Sequence, residues 1–288
     1  METCWLLQTK AFDDGNPERF EEILKKQKTS YSWIQVAPFE GGWNYVTKSG
    51  PKLCPKYEVY DPQPLIHALT NYFFYGTING YKQCGSLFEE AAGSFKRRWC
   101  DFEKLKYSRY GVWYGHHLLN NFSDYAPTTT QEIYRNPDKY FFTAQEIFIR
   151  PDDNEKSFDG EVVDRDKLSE WYHDTYKYNG NLNIPCWAFP KQRISQEWRV
   201  IICRSKVIGG SQYRLNGSVE LLGGVPDHVH SFTEQMAEIY SPEPIFCMDI
   251  AETPLGLKVV EIGSIHTCGL YDTDLEPLVW YINKELND

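Results

Sequence analysis

Two acidic residues stand inside apolar runs in the last fifth of the chain. Asp249 lies in the run Cys-Met-Asp-Ile and Glu261 in the run Val-Val-Glu-Ile. An ionised carboxylate is costly to bury without a partner, so two of them in neighbouring strands favour a cation between them. Oxygen ligands favour Mg²⁺, which takes one or two carboxylates together with phosphate oxygens. The pattern predicts a magnesium site at these two acids; outward-facing acids on a half-exposed sheet are the alternative.

An acid and an arginine open an earlier apolar run. Glu197 and Arg199 are separated by one residue, and Lys191 precedes them in the connection from residues 184–189. Side chains two positions apart on a strand point to the same face, so both would face one cleft. An arginine there is suited to phosphate oxygens. A surface ion pair would produce the same pattern.

A third group of residues surrounds the tip of a predicted hairpin. Arg150 ends the strand 145–149, a polar turn contains Lys156, and Gly160 begins the return. Two cations beside a turn at which glycine permits close backbone approach are suited to a lid over a triphosphate. An ordinary hairpin with exposed charges is the alternative. The sequence contains no Walker phosphate loop.

The elements that must position these residues alternate between strands and helices. Apolar spacing predicts helices over residues 17–28, 166–178, 232–240 and 278–286. It predicts strands over residues 5–7, 32–37, 145–149, 160–163, 184–189, 198–203, 207–213, 245–250 and 257–262. Hairpin-paired strands with helices between them predict an α+β (mixed α/β) fold.

Charge and composition limit the class of protein. The net charge of −10 argues against nucleic acid or a membrane surface as a partner. A basic run between Lys96 and Arg109 is the local exception, and it suggests an acidic acceptor. Neither a secretion signal nor a membrane-spanning stretch can be read from the sequence. The 8 scattered cysteines, without a C-x-x-C motif, predict reduced thiols in a cytoplasmic protein and disfavour zinc.

Taken in order, these segments resemble the ATP-grasp superfamily and, within it, the R-two-K clade. The segments are Phe148-Ile149-Arg150-Pro151 with Gly160, Glu197-Trp198-Arg199-Val200 leading to Tyr213, and Asp249 with Val260-Glu261-Ile262 and Gly269-Leu270-Tyr271. Their spacing is also similar to that of ligases which add glutamates to the tail of a ribosomal protein. The similarity spans roughly residues 134–275, and the first 130 residues fit a pre-ATP-grasp α/β domain.

The resemblance implies roles at the phosphate end of a nucleotide site. Arg150 takes the place of the usual phosphate-binding lysine, and Lys156 lies in the mobile phosphate lid. Arg199 binds the γ-phosphate or the acyl phosphate, so Arg199 and Lys156 are the implied catalytic residues. Asp249 and Glu261 hold Mg²⁺.

The resemblance also implies an adenine end. Trp187, Ala188 and Phe189 belong to the hinge strand whose backbone reads adenine. Lys191 lies close to the nucleotide, and Glu197 contributes to the same cofactor site. The histidines are interpreted as surface or hydrogen-bonded core residues, and a position near the reacting acyl phosphate is the alternative for His266, just beyond the strand of Glu261.

The implied reaction is an ATP- and Mg²⁺-dependent ligation. ATP phosphorylates a carboxylate, and an amine attacks the resulting acyl phosphate. The partners are ATP and an unidentified carboxylate and amine pair, which are small molecules, peptides or proteins; no nucleic acid and no membrane are expected. The implied domains are a pre-ATP-grasp domain over residues 1–130, a central subdomain over 131–192 and a C-terminal metal-site subdomain over 193–288.

One departure from the family pattern and one resemblance to a different family keep alternatives open. The asparagine expected two residues after Glu261 is replaced by Gly263, so Ser264 or a water takes its place or one metal site is weakened. A catalytically weak nucleotide-binding protein is the first alternative. Lys156-Ser157-Phe158-Asp159-Gly160 also resembles the K-x-D-G motif of polynucleotide ligases, with one residue too many. A lysine-adenylating nucleotidyltransferase is therefore the second alternative.

Overall fold

The computed structural model describes residues 2–8, 15–36, 43–46, 70–78, 80–82, 100–121, 125–142, 144–153, 157–180 and 183–287. Within these residues the strands form three sheets with helices packed between and around them. This arrangement confirms the predicted α+β (mixed α/β) class. Lys156 and the start of the basic run at residues 96–98 lie outside the described residues.

The first sheet is formed by the amino-terminal strands. They are β1 (Glu2–Gln8), β2 (Ser30–Val36), β3 (Trp43–Val46) and β4 (Thr70–Tyr75), with helix α1 (Asn16–Lys26) between β1 and β2. The sheet order is β3-β2-β1-β4, and β1 pairs in parallel with both β2 and β4. The run of residues 5–7 on β1 is buried, as expected for a central parallel strand.

The central sheet carries the predicted hairpin. Its strands are β5 (Thr128–Thr129), β6 (Glu146–Pro151), β7 (Glu161–Asp164) and β8 (Pro185–Pro190), in the antiparallel order β5-β8-β6-β7. The helices of this part of the chain are α2 (Tyr107–Tyr114), α3 (Thr130–Arg135), α4 (Pro137–Phe141) and α5 (Leu168–Asn179). Phe148 faces Val162 across the hairpin. Pro185 begins β8, where a missing backbone N–H is tolerated.

The third sheet is antiparallel and contains the longest strands. They are β9 (Gln196–Cys203), β10 (Lys206–Leu215), β11 (Ser218–Gly223), β12 (Ile245–Thr253) and β13 (Gly256–Ser264), in the order β11-β10-β9-β12-β13. Helix α6 (Asp227–Ile239) follows β11, and helix α7 (Leu275–Asn287) ends the chain. Strand β11 was not predicted because all six of its residues are exposed, so no buried face marks it in the sequence.

The two faces of this sheet pack against different partners. Even-numbered β9 residues such as Val200 lie in one core with residues of α2 and α6. Odd-numbered residues such as Ile201 lie in another core with the first sheet and α7. Towards the start of β9 the odd-numbered face changes from apolar to charged, at Arg199 and Glu197. The candidate site lies where this second core ends.

The boundaries of 1–130, 131–192 and 193–288 stay a prediction, and three of the described elements pack across them. Helix α2 packs in the core of the C-terminal sheet, and β5 joins the central sheet, so both leave the first domain. Helix α7 packs against α1 and β1 of the first sheet. We therefore propose that the first domain ends before residue 100 and is completed by α7. Among the described helices, none combines the length and the hydrophobicity required to cross a bilayer.

Candidate active site

A row of charged side chains crosses three strands of the C-terminal sheet. Arg199 on β9 stands opposite Asp249 on β12, and Asp249 stands opposite Glu261 on β13. Opposed residues in antiparallel strands have Cβ atoms about 4.5–5.5 Å apart, so their side chains can interact directly. All three line one cleft of about 600 Å³. The structure therefore brings together the three predicted residues on which the phosphate and magnesium chemistry depends.

Oxygen atoms surround the guanidinium of Arg199. Its Nε and Nη2 donate to Oδ1 and Oδ2 of Asp249 at 2.8 and 2.7 Å, and its Nη1 donates to the carbonyl oxygen of Gly269 at 2.9 Å. Its Nη2 also lies 3.9 Å from Oε1 of Glu261. Burial by itself lowers the pKa of Arg199, but the charge of Asp249 outweighs it and holds the pKa well above its usual value. The Arg199 guanidinium is thus a permanent cation that lies beside Asp249.

Two stacked tyrosine rings lie beside the guanidinium of Arg199. Tyr213 and Tyr271 are stacked with their centroids 4.9 Å apart, and the Arg199 guanidinium lies 5.8 and 5.1 Å from the two rings. A β-bulge between Gln212 and Arg214 turns Tyr213 and Arg214 towards the same cleft. Neither tyrosine was among the predicted site residues, although both occur in the segments that carry the family resemblance.

The loop that carries Tyr271 is fixed from the first domain. Arg19 on α1 donates to the carbonyl oxygens of Tyr271 and Thr273. Tyr271 has a left-handed φ of 49°, a conformation that costs a non-glycine residue energy unless its surroundings hold it. The first domain therefore takes part in shaping the cleft.

Glu197 is tied to the same cluster. It accepts a hydrogen bond from the hydroxyl of Tyr213 at 2.8 Å, and Arg214 lies 3.5 Å away. Burial raises the pKa of the Glu197 carboxyl in spite of these two partners. The hydroxyl of Tyr213 also lies 3.4 Å from Asp249, so one tyrosine links the two carboxylates.

Arg150 reaches the cleft from the central sheet. Its Nη1 donates to the carbonyl oxygen of Val260 at 3.0 Å, and its Nη2 donates to Oε2 of Glu261 at 3.4 Å. The guanidinium lies 4.3 Å from the ring of Tyr107 on α2, with the ring of Tyr110 beside it. The tyrosine spacing of residues 107, 110 and 114 is typical of a helix face, and that signal could have identified α2.

The predicted adenine hinge supplies backbone rather than side chains. The side chains of Trp187 and Phe189 are buried, and Trp187 donates to Oδ1 of Asp152 at 2.9 Å. Strand β5 pairs with β8 only as far as Cys186. Within the described residues, the outer backbone edge at Ala188 and Phe189 therefore has no strand neighbour. Trp187, Ala188 and Phe189 do not line the cleft, and their contact with adenine stays a prediction.

Of the two predicted lysines, only Lys191 belongs to the described residues, and it does not line the cleft. The ammonium of Lys191 pairs with Glu146 at 2.8 Å on the surface, and Lys191 is not a lining residue. Contact with a nucleotide would require this pair to open, and Lys156 lies outside the described residues. Gly160 does line the cleft, and an added Cβ would lie 3.1 Å from the ring of Phe148. A larger residue at this position would therefore press on Phe148, and the expected close approach of a triphosphate to Gly160 stays a prediction.

The residues after Glu261 resolve two further expectations. Ser264 is buried on the opposite face of β13, where its hydroxyl accepts from the backbone N–H of His266 at 3.2 Å. It therefore cannot replace the missing amide at Gly263. His266 does not line the cleft: its Nδ1 lies 2.6 Å from the carbonyl oxygen of Phe74, in the packing against the first sheet. His266 is therefore a hydrogen-bonded core residue, and the alternative position near an acyl phosphate was wrong, because the chain turns away after β13.

The donor set of the cleft fits magnesium and polyphosphate. Within the described residues, three guanidiniums and six carboxylates line it: Arg150, Arg199, Arg214, Asp153, Asp159, Glu161, Glu197, Asp249 and Glu261. Glu261 keeps about a third of its side chain exposed, at 32%. The buried Oδ1 of Asn120, also in the cleft lining, accepts no hydrogen bond in the described part of the chain. An excess of oxygen ligands and negative charge beside arginines matches Mg²⁺ bound with phosphates.

The fold and the site together define an ATP-grasp protein. Residues 112–281 match the ATP-grasp domain of the R-two-K clade, family 3, and the chain belongs to this family. The predicted superfamily, clade and fold are thereby confirmed.

Solved structures with the same fold cover nearly the whole chain. D-cycloserine synthetase DcsG is similar with a TM-score of 0.60 and 9% identity, over 99% of this chain and 100% of that one. A RimK domain ATP-grasp protein from Sphaerobacter thermophilus has a TM-score of 0.55 and 11% identity, over 99% and 96%. The ATP-grasp ligase PsnB, complexed with a minimal precursor, Mg and ADP, has a TM-score of 0.52 and 10% identity, over 99% and 98%. No curated protein matches the sequence significantly.

Proposed function

We propose that this protein is an ATP- and Mg²⁺-dependent ligase that joins a carboxylate to an amine through an acyl phosphate. The observation that carries the proposal is the row of Arg199, Asp249 and Glu261 in one cleft of an ATP-grasp fold. The similar structures of a synthetase and of a ligase bound to Mg and ADP support this class of reaction. The free thiols among the described cysteines are consistent with a reducing, cytoplasmic compartment.

The nucleotide would extend from the hinge, which does not itself line the cleft, to the charged row within it. The open backbone edge at Ala188 and Phe189 would receive the adenine. Glu197 lines the same cleft as Arg199, and its carboxylate would accept the ribose hydroxyls. Arg150 and Arg199 would hold the phosphates, because guanidinium groups match phosphate oxygens in geometry and charge.

Binding requires Arg199 to exchange one set of acceptors for another. Its Nε and Nη2 now donate to Asp249, and phosphate oxygens are equivalent acceptors. When they take over part of the guanidinium, an oxygen of Asp249 becomes available to a cation shared with Glu261. A magnesium ion at these two acids supplies charge neutralisation for phosphoryl transfer. The arginine then stabilises the charge that develops on the transferred phosphoryl group.

A second candidate function is nucleotide binding without turnover. Both oxygens of Asp249 are taken by Arg199 in this structure, and Gly263 offers no side-chain ligand on the cleft face. If Arg199 does not release Asp249, nucleotide can bind but the metal site stays incomplete. The same experiment separates the two functions.

The test is isothermal calorimetry with ATP, with and without Mg²⁺, followed by mass spectrometry of nucleotide and protein. Arg199→Lys and Glu261→Gln are the site variants. Arg204→Lys and Glu234→Gln are matched controls, because Arg204 pairs with Glu285, and Glu234 with Lys206, away from the cleft. Carboxylate and amine pools are then supplied as acceptors.

The ligase proposal expects Mg²⁺-dependent ATP binding that both site variants weaken and both controls retain, with ADP as the product. ATP binding without ADP under any acceptor pool would support the second candidate. A covalent AMP adduct on Lys156 would contradict both functions and would show that the protein adenylates this lysine. No ATP binding by the wild-type protein would contradict every nucleotide-dependent function.

A further inference from the structure

Strand β11 is an exposed apolar edge. Val219, Leu221 and Leu222 are 74%, 49% and 62% exposed. The strand pairs with β10 on one side, and no strand of the described residues covers its other side. Such an edge presents backbone N–H and C=O groups that can pair with another extended chain. Proteins that keep an edge free usually protect it with charges, whereas here Glu220 is the only charged residue of the strand.

The edge is continuous with the candidate active site. Val219 stands opposite Arg214, and Gly223 stands opposite Ser211, which in turn stands opposite Arg199. Because side chains alternate along a strand, Leu221 lies on the same face as Val219 and Gly223. Ser211 is fully buried and Asp272 lies against Gly223, so the apolar shelf formed by Val219 and Leu221 meets the cleft at Arg214.

The surface is positively charged at Arg214 and apolar along β11. Arg214 stands at the border between the shelf and the cleft, half exposed, with Glu197 at 3.5 Å. An exposed guanidinium is a ready partner for a carboxylate. The surface thus offers a cation at the cleft and apolar contacts further out, which complements an acidic group carried by an apolar, extended chain.

We propose that β11 binds an extended segment of a peptide substrate, which adds to the sheet edge as a further strand. Alternate apolar residues of the peptide pack beside Val219 and Leu221, and an acidic side chain reaches across Val219 to Arg214 at the border of the cleft. The proposal rests on the proposed ligase function and names its carboxylate substrate as a peptide. Main-chain hydrogen bonds supply affinity in this mode, and alternate side chains supply specificity.

A second copy of this chain fits the edge less well. The strand has six residues. A contact of that length falls short of the area of about 1,200 Å² that stable interfaces bury. A peptide needs no such area, because the cleft itself provides part of its binding.

The experiment uses a pool of blocked heptapeptides with a central glutamate and with Val, Leu, Ile, Thr or Ser at the other positions. The full-length protein is loaded with a non-hydrolysable ATP analogue and Mg²⁺, and retained peptides are quantified by mass spectrometry. The variant is Val219→Thr/Leu221→Thr, which keeps strand-forming residues but removes apolar surface. The matched control is Leu222→Thr on the opposite face of β11.

We expect the wild-type protein to retain peptides with aliphatic residues at alternate positions. The double variant should bind them about tenfold more weakly, and the Leu222→Thr control should not. Backbone N-methylation of a retained peptide should abolish binding, because it removes the strand hydrogen bonds.

Three results would overturn the inference. The first is a wild-type protein that binds ATP but retains no peptide, and the second is a double variant that retains peptides as well as wild type. The third is a wild-type dimer that the double variant dissociates in sedimentation velocity, which would assign β11 to self-association. Failure of ATP binding in the same samples would instead show that the ligase function itself is wrong.

Discussion

Arg199 and Asp249 face each other across neighbouring antiparallel strands, and the guanidinium donates to both carboxylate oxygens at 2.8 and 2.7 Å. Their side chains are only 11% and 5% exposed. Because both side chains are buried, each charge would be costly without its partner. The ion pair therefore fixes the arrangement of the cleft until a ligand offers equivalent contacts. The stability of the protein and its affinity for nucleotide are therefore linked through the same two side chains.

Removing one member of this pair should destabilise the protein strongly. Breaking a buried ion pair typically costs about 3–5 kcal/mol, because the remaining charge is left unpaired. We expect Arg199→Met to lower the free energy of unfolding by that order, and Arg199→Met/Asp249→Leu to recover most of the loss. Urea denaturation measures both. Lys26→Met, which breaks an ion pair with Glu276 in which both side chains are exposed, should change the value by only about 0.5 kcal/mol; equal losses for Arg199→Met and Lys26→Met would contradict the assigned importance of the buried pair.

Glu261 should control the magnesium dependence of nucleotide binding rather than stability. Its side chain is about a third exposed, at 32%, and the amide oxygen of Glu261→Gln can still accept from Arg150, so the substitution removes charge but keeps this hydrogen bond. We expect the variant to unfold within about 1 kcal/mol of wild type. Its ATP affinity in Mg²⁺ should fall about tenfold, towards the value that the wild-type protein shows in EDTA. If calorimetry shows the same Mg²⁺ dependence for the variant as for the wild-type protein, Glu261 is not a metal ligand.

The ring of Tyr107 should support the phosphate contact of Arg150. The guanidinium lies 4.3 Å from the ring centroid, and a desolvated contact of this kind is worth about 2 kcal/mol. We expect Tyr107→Leu to weaken ATP binding by about tenfold, whereas Tyr107→Phe, which loses the hydroxyl but keeps the ring, should bind ATP nearly as wild type does. If Phe and Leu weaken binding equally, the hydrogen bond of the hydroxyl to the Asn120 carbonyl matters and the ring does not.

The carboxyl of Glu197 should make stability depend on pH. Burial raises its pKa above the ordinary value of 4.5, so the folded state binds this proton more tightly than the unfolded state does. Its favourable contribution is therefore present below pH 4.5 and is lost as the pH rises through the folded-state pKa. Glu197→Gln does not titrate, and its amide oxygen can still accept from Tyr213.

The melting temperatures of wild type and Glu197→Gln, measured from acid to neutral pH, test this directly. The difference should move in favour of the glutamine variant as the pH rises past the acid range. A constant difference would show that Glu197 titrates alike in both states, and movement in the opposite direction would show that Tyr213 and Arg214 outweigh burial.

Much of the local structure could be predicted because its signals are local. The β6–β7 and β12–β13 hairpins follow from apolar runs separated by polar turns, and the residues that form each pair are close in sequence. Two elements gave weaker signals. Helix α2 is marked by tyrosines rather than aliphatic residues, and β11 has no buried face to produce an alternating pattern.

The sequence by itself determined which residue types would be available to the site. It showed two acids within apolar strands and an acid and an arginine on one face of another strand, because burial and side-chain alternation are properties of short segments. It also showed the ordered segments that identify the family.

Tertiary structure decided which of these groups meet. Arg199 faces Asp249 because β9 pairs with β12 in one register, although the two residues are 50 positions apart in the chain. The ring of Tyr107 lies against Arg150, and Lys191 is drawn to Glu146 on the surface instead of the cleft. These relationships depend on long-range packing, and the free energy that selects them is spread over whole cores rather than stored in any short stretch of sequence.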